Sequence, residues 1–157
     1  MYNVRKIVDD LYWVGGSDHR LELFENIHPI PDGVSYNAYV LLDEKTVLFD
    51  TVDWSICRQF LENLEHVLNG RDLDYVIINH MEPDHAASME EVLLRYPNAK
   101  VISTEKSIMM MYQFGFNVEG RTETVAEGDS RCRKPWLVMI PAMVFYFQLM
   151  PLEALKL

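Results

Sequence analysis

The stretch that decides the fold is Val76-Ile77-Ile78-Asn79-His80-Met81-Glu82-Pro83-Asp84-His85. Its first three residues are apolar and β-branched, which is typical of a strand buried on both faces of a layered sheet. Four ionisable residues, two His, one Glu and one Asp, follow within a few positions. Ligands bind beyond the carboxyl ends of strands in open α/β sheets, because the next loop can project several side chains into one crevice. The stretch therefore predicts a buried strand that leads directly into a functional site.

Short strands and helices alternate on both sides of this stretch. The patterns predict strands over residues 11–14, 36–42, 46–49, 76–78 and 100–103. A hairpin connection of three residues joins the second and third of these strands. Residues 28–33, which contain two prolines and an Asp-Gly pair, predict a loop. The order of elements predicts the α/β class, with helices that cover the faces of the sheet.

Three helices are predicted from their apolar spacing and their end signals. The first, over residues 54–69, has Asp53 as its N-cap and buries one face made of Ile56, Phe60, Leu64 and Val67. The second opens at a capping box formed by Ser88 and Glu91 and ends near Pro97. The third, over residues 105–113, directs Ile108, Met111 and Tyr112 inward. Trp13 and Trp54 are predicted to be core aromatics.

The composition is that of one globular domain. The chain has 157 residues, of which 49% are hydrophobic, and this is too apolar for a disordered protein. The formal net charge of −10 argues against non-specific nucleic-acid binding, which needs clustered Lys and Arg. No run approaches the ~20 apolar residues of a membrane span, and two cysteines exclude a disulfide scaffold. We therefore expect a cytoplasmic protein with neither a nucleic-acid nor a membrane partner.

The ionisable residues of the deciding stretch form a candidate metal-binding set. His80, Glu82 and Asp84 alternate, so an extended backbone would place all three side chains on one side. Pro83 removes a backbone donor and stiffens the segment. One imidazole with two carboxylates is a hard, anionic set that prefers iron or manganese to structural zinc. Asp50 follows an apolar strand and could support the set as a hydrogen-bond acceptor. A solvated acidic turn that caps the next helix is the alternative.

Residues 79–85 also resemble a known motif, His-x-[His/Glu]-x-Asp-His of the metallo-β-lactamase superfamily. The variant with Glu at the third position resembles the flavodiiron proteins, or A-type flavoproteins, which include flavorubredoxin. Residues 11–15, 33–40 and 48–52 agree with the same family, and the resemblance covers residues 1–129. A carboxylate in place of an imidazole adds negative charge, which favours Fe(III) and redox cycling, whereas a zinc hydrolase needs only a Lewis acid.

The resemblance implies a fold, a reaction and a set of partners. The fold would be the N-terminal half of a metallo-β-lactamase-like αββα sandwich. His80, Glu82 and Asp84 would be ligands of a non-haem diiron centre that reduces O₂ to water or nitric oxide to N₂O. His85 would be a supporting residue beside the ligands or a variable ligand. A rubredoxin-like protein or a flavin reductase would donate electrons to FMN in a flavodoxin-like domain. The FMN would pass them to the iron centre of the other subunit in a head-to-tail homodimer.

Parts of the family's machinery are not found in this sequence. The family draws further ligands from later segments that resemble Pro-Met-Val-His-Trp-Pro-Glu and Ser-Ala-Asp-Ala-Phe-Gly, and from a later His. No His follows His85, and no flavodoxin-like domain is present. We therefore expect a partial diiron domain over residues 1–129 that is inactive alone. A zinc hydrolase of the metallo-β-lactamase superfamily and a non-catalytic metal-binding fragment are the alternatives.

Residues 130–157 differ in composition from the rest of the chain. Up to Asp129 there are 10 basic and 23 acidic residues, whereas residues 130–157 hold four basic residues and one acidic residue. Synonymous codons permit a second frame behind residues 133–157 that spells PEAMASYDPSNGILFSADAFGSFKA, which resembles the family's continuation. We therefore expect an out-of-frame translation that follows an insertion or deletion and packs poorly. A genuine divergent C-terminus is the alternative.

Overall fold

The buried strand that precedes the histidine-containing loop runs over Tyr75–Ile77. The structure, a computed structural model, describes residues 2–24 and 27–125. The elements described here all lie in one compact unit, Met1–Thr124. Predictions for residues 130–157 lie outside the described residues.

The described part of the chain contains eleven strands and four α-helices. The strands are β1 Arg5–Val8, β2 Leu11–Trp13, β3 Gly16–Asp18, β4 Leu23–Phe24, β5 His28–Pro29, β6 Val34–Tyr36, β7 Tyr39–Leu42, β8 Thr46–Phe49, β9 Tyr75–Ile77, β10 Lys100–Ser103 and β11 Thr122–Thr124. The helices are α1 Cys57–Leu68, α2 Pro83–Ala86, α3 Met89–Arg95 and α4 Glu105–Gln113. A 3₁₀ turn, Trp54–Ile56, leads into α1. The predicted α/β class is confirmed.

Seven of these strands form one mixed sheet in the order β1-β2-β7-β8-β9-β10-β11. The strands from β1 to β8 in this order pair antiparallel, and those from β8 to β11 pair parallel. In the parallel pair β8 and β9, Phe49 lies opposite Ile77. The two strands therefore end at the same edge of the sheet, and the loops that follow them are neighbours.

The core lies between this sheet and the helices α1, α3 and α4. Strand residues such as Val40, Leu48 and Val76 are fully buried and belong to one cluster with Phe60 and Leu64 of α1. Full burial of one Val, Leu or Phe side chain stabilises the fold by about 1.5–3 kcal/mol. The predicted apolar face of the first helix is confirmed for Ile56, Phe60 and Leu64, and Val67 packs against the cluster half-buried.

The ends of the helices agree in part with their sequence signals. The side chain of Asp53 accepts a hydrogen bond from Ser55 N, so the predicted N-cap is confirmed for the 3₁₀ turn. The capping box that opens at Ser88 is wrong, because the buried Ser88 side chain makes no cap hydrogen bond. Helix α2 ends at Ala86, and residues 87–88 form a turn that leads directly into α3.

Two aromatic residues are more exposed than the sequence predicts. Trp54 is 61% exposed in the 3₁₀ turn, and Tyr112 is 49% exposed on α4. Met111, its neighbour in α4, is fully buried and Ile108 packs against the core. Adjacent helical positions point in different directions, so Met111 and Tyr112 cannot both face the sheet.

Two further boundaries differ from the prediction. The segment predicted as a loop contains the short strand β5, which pairs with β4. The strand predicted over residues 36–42 is divided into β6 and β7 at Asn37 and Ala38. The Oδ1 atom of Asn37 accepts a hydrogen bond of 3.0 Å from the indole of Trp13, and Ala38 O accepts one from Val14 N. In the part of the chain that the structure describes, no helix is both long and apolar enough to cross a bilayer.

Candidate metal centre

Two polar loops meet at the edge of the sheet where β8 and β9 end. Asp50 follows β8, and its backbone N donates a hydrogen bond of 2.8 Å to Ile77 O at the end of β9. Asn79 follows Ile78, whose N donates to Ile102 O of the next strand. The parallel register therefore places Asp50 beside the start of the loop that contains the predicted ligands.

The carboxylate of Asp50 holds this loop in place. Its Oδ1 accepts from Asn79 N at 2.8 Å, and its Oδ2 accepts from Asn79 Nδ2 at 2.7 Å and contacts His85 Nδ1 at 2.9 Å. Asp50 is buried and has a φ of 55°, a left-handed conformation that Asp and Asn tolerate better than other non-glycine residues. The prediction that Asp50 supports the loop as a hydrogen-bond acceptor is confirmed.

Thr51 fixes the other end of the same loop. Its backbone N and its Oγ1 each donate a hydrogen bond of 2.8 Å to His85 O. Ser88 N donates to Val52 O, which joins the two loops again three residues later. Neither Thr51 nor Asn79 was predicted to have a role in the site. A polar residue directly after each of two apolar strands is the signal that could have identified them.

The predicted ligands lie in pairs. His80 Nδ1 lies 3.6 Å from Glu82 Oε2, and His85 Nε2 lies 3.3 Å from Asp84 Oδ2. The rings of His80 and His85 contact each other with their centroids 3.9 Å apart. Within residues 2–24 and 27–125, no three His, Cys, Asp or Glu side chains are grouped so that they could hold one metal ion. The assignment of His80, Glu82 and Asp84 as ligands stays a prediction.

The extended backbone predicted for this loop is wrong after Glu82. Glu82 is extended and occupies the N-cap position, and Pro83 begins the one-turn helix α2. Proline is favoured at the first helical position, because its fixed φ suits a helix and its missing N–H would have no partner there. Asp84 therefore lies in a helical turn beside His85 and not in line with His80 and Glu82. Met81, between His80 and Glu82, is buried.

The histidine between the two carboxylates carries a positive charge at neutral pH. Burial, the largest influence, lowers the pKa of His85, but the contacts with Asp50 and Asp84 together outweigh it and raise the pKa to about 10. Burial likewise raises the pKa of Asp84, and the contact with His85 reverses this, so that the Asp84 pKa is lowered. Asp84 and His85 therefore form an ion pair within the loop.

One carboxylate oxygen of the loop, Asp84 Oδ1, has no hydrogen-bond partner among the described residues. This oxygen is buried. A buried carboxylate oxygen without a partner is costly, and a bound cation is one way to satisfy it. The imidazole and carboxylate groups of residues 80–85 are the donors that iron accepts in proteins. The chemistry of the loop therefore fits a metal ion of this kind.

The chain is similar to known proteins over about four fifths of its length. A family model described as ODP family beta lactamase matches residues 34–147. The anaerobic nitric oxide reductase flavorubredoxin of Vibrio vulnificus is 33% identical over 125 residues, which are 79% of this chain and 25% of the relative. The rubredoxin oxygen:oxidoreductase structure from Desulfovibrio gigas has a TM-score of 0.74 and 29% identity over 81% of this chain and 32% of that chain. The flavodiiron protein structure from Giardia intestinalis has a TM-score of 0.71 and 25% identity, with 80% and 31% covered.

The matches cover only part of each relative. The chain spans about a quarter of the length of the curated relatives it matches and about a third of the solved chains. The similarity to the flavodiiron structures confirms the predicted metallo-β-lactamase-like fold, and this chain covers part of each of those structures.

Proposed function

Because this chain belongs to the ODP β-lactamase family, we propose that it is the metal-binding N-terminal part of a flavodiiron oxidoreductase that reduces O₂ to water or nitric oxide to N₂O. The observation that carries the proposal is the loop of residues 79–85, which the Asp50 carboxylate holds and which contains the unpartnered Asp84 Oδ1. The relatives named as a nitric oxide reductase and as a rubredoxin oxygen:oxidoreductase support this class of reaction.

We propose that His80, Glu82 and Asp84 bind one iron, with His85 as a supporting residue or a variable ligand. Iron, when bound, supplies the one-electron redox chemistry that reduction of O₂ or nitric oxide requires. Asp50 orients the His85 ring through Nδ1, which is the role that carboxylates commonly have behind metal-binding histidines. Thr51 fixes the backbone at His85, so the loop is held at both ends before any ion binds.

The electron path and the second iron belong to the proposal for the whole protein. Relatives several times longer than this match leave room for an FMN-binding part, for a head-to-tail homodimer and for a docking surface for a rubredoxin-like protein or a flavin reductase. The loop of residues 79–85 contains two imidazoles, His80 and His85, and we propose that it holds one iron. We therefore propose that this chain alone binds iron without turnover, in the cytoplasm.

Iron binding tests the proposal directly. The full chain is loaded with Fe(II) under anaerobic conditions, desalted and analysed for metal and protein. We expect about one iron per chain, and a loss of binding of at least about tenfold in Asp84→Asn, because the substitution removes the charge of the half-buried carboxylate. Glu90→Gln is the matched control, since it removes one exposed carboxylate from α3, outside the loop.

Two outcomes would overturn the proposal. Equal iron retention in Asp84→Asn and Glu90→Gln, with both variants folded by circular dichroism, would place the iron elsewhere. Preferential retention of zinc together with ester hydrolysis would instead indicate a hydrolase of the metallo-β-lactamase superfamily.

A further inference from the structure

A polar cleft of about 460 Å³ lies between strand β3 and the beginning of helix α1, outside the loop of residues 79–85. Its lining residues include Ser17, Arg20, Arg58, Gln59 and Glu62. A volume of this size is in the range of sites that hold small ligands. The polar lining indicates a charged or strongly polar ligand rather than an apolar one.

Arg20 is held rigidly on one wall of this cleft. Its Nε and Nη2 donate to Asp18 Oδ1 and Oδ2 at 2.9 and 2.7 Å, and Nη2 also donates to Ser55 O at 2.8 Å. Asp18 is only 2% exposed, so a buried carboxylate anchors the guanidinium. Among the described residues, Arg20 Nη1 makes no hydrogen bond within the protein, and the Arg20 side chain is largely exposed. A guanidinium fixed in this way loses little rotamer entropy when it binds a ligand.

A second guanidinium lies on the α1 wall of the cleft. Arg58 Nε donates to Glu62 Oε1 at 3.1 Å, which leaves both terminal nitrogens without a hydrogen bond in the described part of the chain. Arg58 is 93% exposed. Among the described residues, Glu62 is the acidic residue that lines the cleft, and the Asp18 carboxylate lies directly behind Arg20. Each guanidinium therefore has one carboxylate partner, Asp18 for Arg20 and Glu62 for Arg58, and keeps exposed terminal N–H groups for a ligand.

We propose that this cleft binds a small tetrahedral oxyanion, such as a phosphate group, between the guanidinium groups of Arg20 and Arg58. Guanidinium groups present paired N–H donors that match the oxygens of phosphate. The Gln59 amide and the Ser17 hydroxyl are further donors at the cleft. The phosphate group belongs either to free inorganic phosphate or to a small phosphorylated metabolite.

A titration of the full chain with inorganic phosphate, followed by NMR of the backbone amides at constant ionic strength, tests this site. We expect the signals of Ser17, Arg20 and Gln59 to shift together. Arg58→Gln should weaken the binding about fivefold, as is typical for the loss of one exposed charged contact. Glu62→Gln should strengthen it by a similar factor, because it removes the competing carboxylate and frees Arg58. Both positions are exposed, so the fold should be unchanged.

Arg95→Gln is the matched control, since it removes the same charge from an exposed position on α3. Its affinity should equal that of the unmodified chain. Equal affinities of Arg58→Gln and Arg95→Gln, weaker binding by Glu62→Gln, or an absence of shifts at the cleft would each overturn the proposal. A parallel titration with glycerol phosphate separates the two sources: tighter binding of the ester identifies a metabolite, and equal binding identifies the free anion.

Discussion

Replacement of Asp50 by Asn tests whether one carboxylate organises the loop of residues 79–85. The carboxylate accepts two hydrogen bonds from Asn79 and contacts His85 Nδ1. An Asn side chain has one acceptor oxygen, which can keep the bond from Asn79 N. Its amide group cannot accept from Asn79 Nδ2, and it carries no charge for the protonated His85 ring. Asn also tolerates the φ of 55° at this position, so no backbone strain is added.

The expected loss follows from these contacts. Two donors, Asn79 Nδ2 and the ring Nδ1 of His85, are left facing the NH₂ group of the new side chain, which cannot accept from either. Because such bonds contribute about 1.5–3 kcal/mol each and His85 is partly exposed, we expect Asp50→Asn to lower the free energy of unfolding by about 2–4 kcal/mol. Iron affinity should fall about tenfold in the same variant, since the ring of His85 loses its orientation.

Urea unfolding monitored by circular dichroism measures the first effect. Asp32→Asn is the matched control, because Asp32 is exposed and only its backbone oxygen makes a hydrogen bond, with His19. The control should change the free energy of unfolding by less than about 0.5 kcal/mol. If Asp50→Asn is no more destabilising than this control, the carboxylate does not organise the loop and the reasoning is refuted.

Three further predictions concern the rest of the chain. Hydrogen bonds from Arg20 hold the pKa of Asp18 at about 2, below its ordinary value of 3.8, so the stability that it contributes is present above about pH 4 and is lost as the pH falls towards 2. Arg20 is largely exposed and screened by water, so the effect should be small. Between pH 5 and pH 2, we expect the free energy of unfolding, measured in urea, to fall by about 1 kcal/mol more in the unmodified chain than in Asp18→Asn. Equal losses would show that the ionised Asp18 does not stabilise the fold. Asn63→Ala should lower the free energy of unfolding by about 2–3 kcal/mol, because the buried Asn63 amide donates to Asn3 O, Val14 O and Gly15 O and its oxygen accepts from Asn3 N. The control Asn98→Ala, at an exposed position, should lower it by less than about 1 kcal/mol. Equal losses would show that the hydrogen bonds of Asn63 do not stabilise the fold. Finally, the gene's nucleotides over residues 133–157 should encode PEAMASYDPSNGILFSADAFGSFKA in a second frame, and a sequence that does not would rule out the proposed out-of-frame translation.

The sequence predicted the buried face of a strand or helix where the spacing of its own apolar residues determines that face. The apolar run at Val76 and the spacing of Phe60 and Leu64 identified a buried strand and the inner face of α1, because burial on a sheet or helix follows directly from the period of the sequence. Trp54 was misjudged, since hydrophobic character alone does not bury a residue in a short turn at the surface.

The arrangement of the candidate site depends on contacts between distant residues. The hydrogen bonds from Asn79 to Asp50 join positions 29 residues apart, and they follow from the parallel register of β8 and β9. No local pattern contains that register. The helical turn at Pro83 was missed for a different reason: proline stiffens an extended segment and begins a helix equally well, and only the hydrogen bonds to Glu82 O distinguish the two.

The most direct test of the metal-binding claim is anomalous diffraction at the iron absorption edge from a crystal of the chain loaded with Fe(II). The account predicts a single strong peak within about 2.3 Å of an imidazole nitrogen of His80 and of carboxylate oxygens of Glu82 and Asp84, as is usual for iron bound by nitrogen and oxygen. A peak at any other place, or none in a crystal grown from iron-loaded protein, would contradict it.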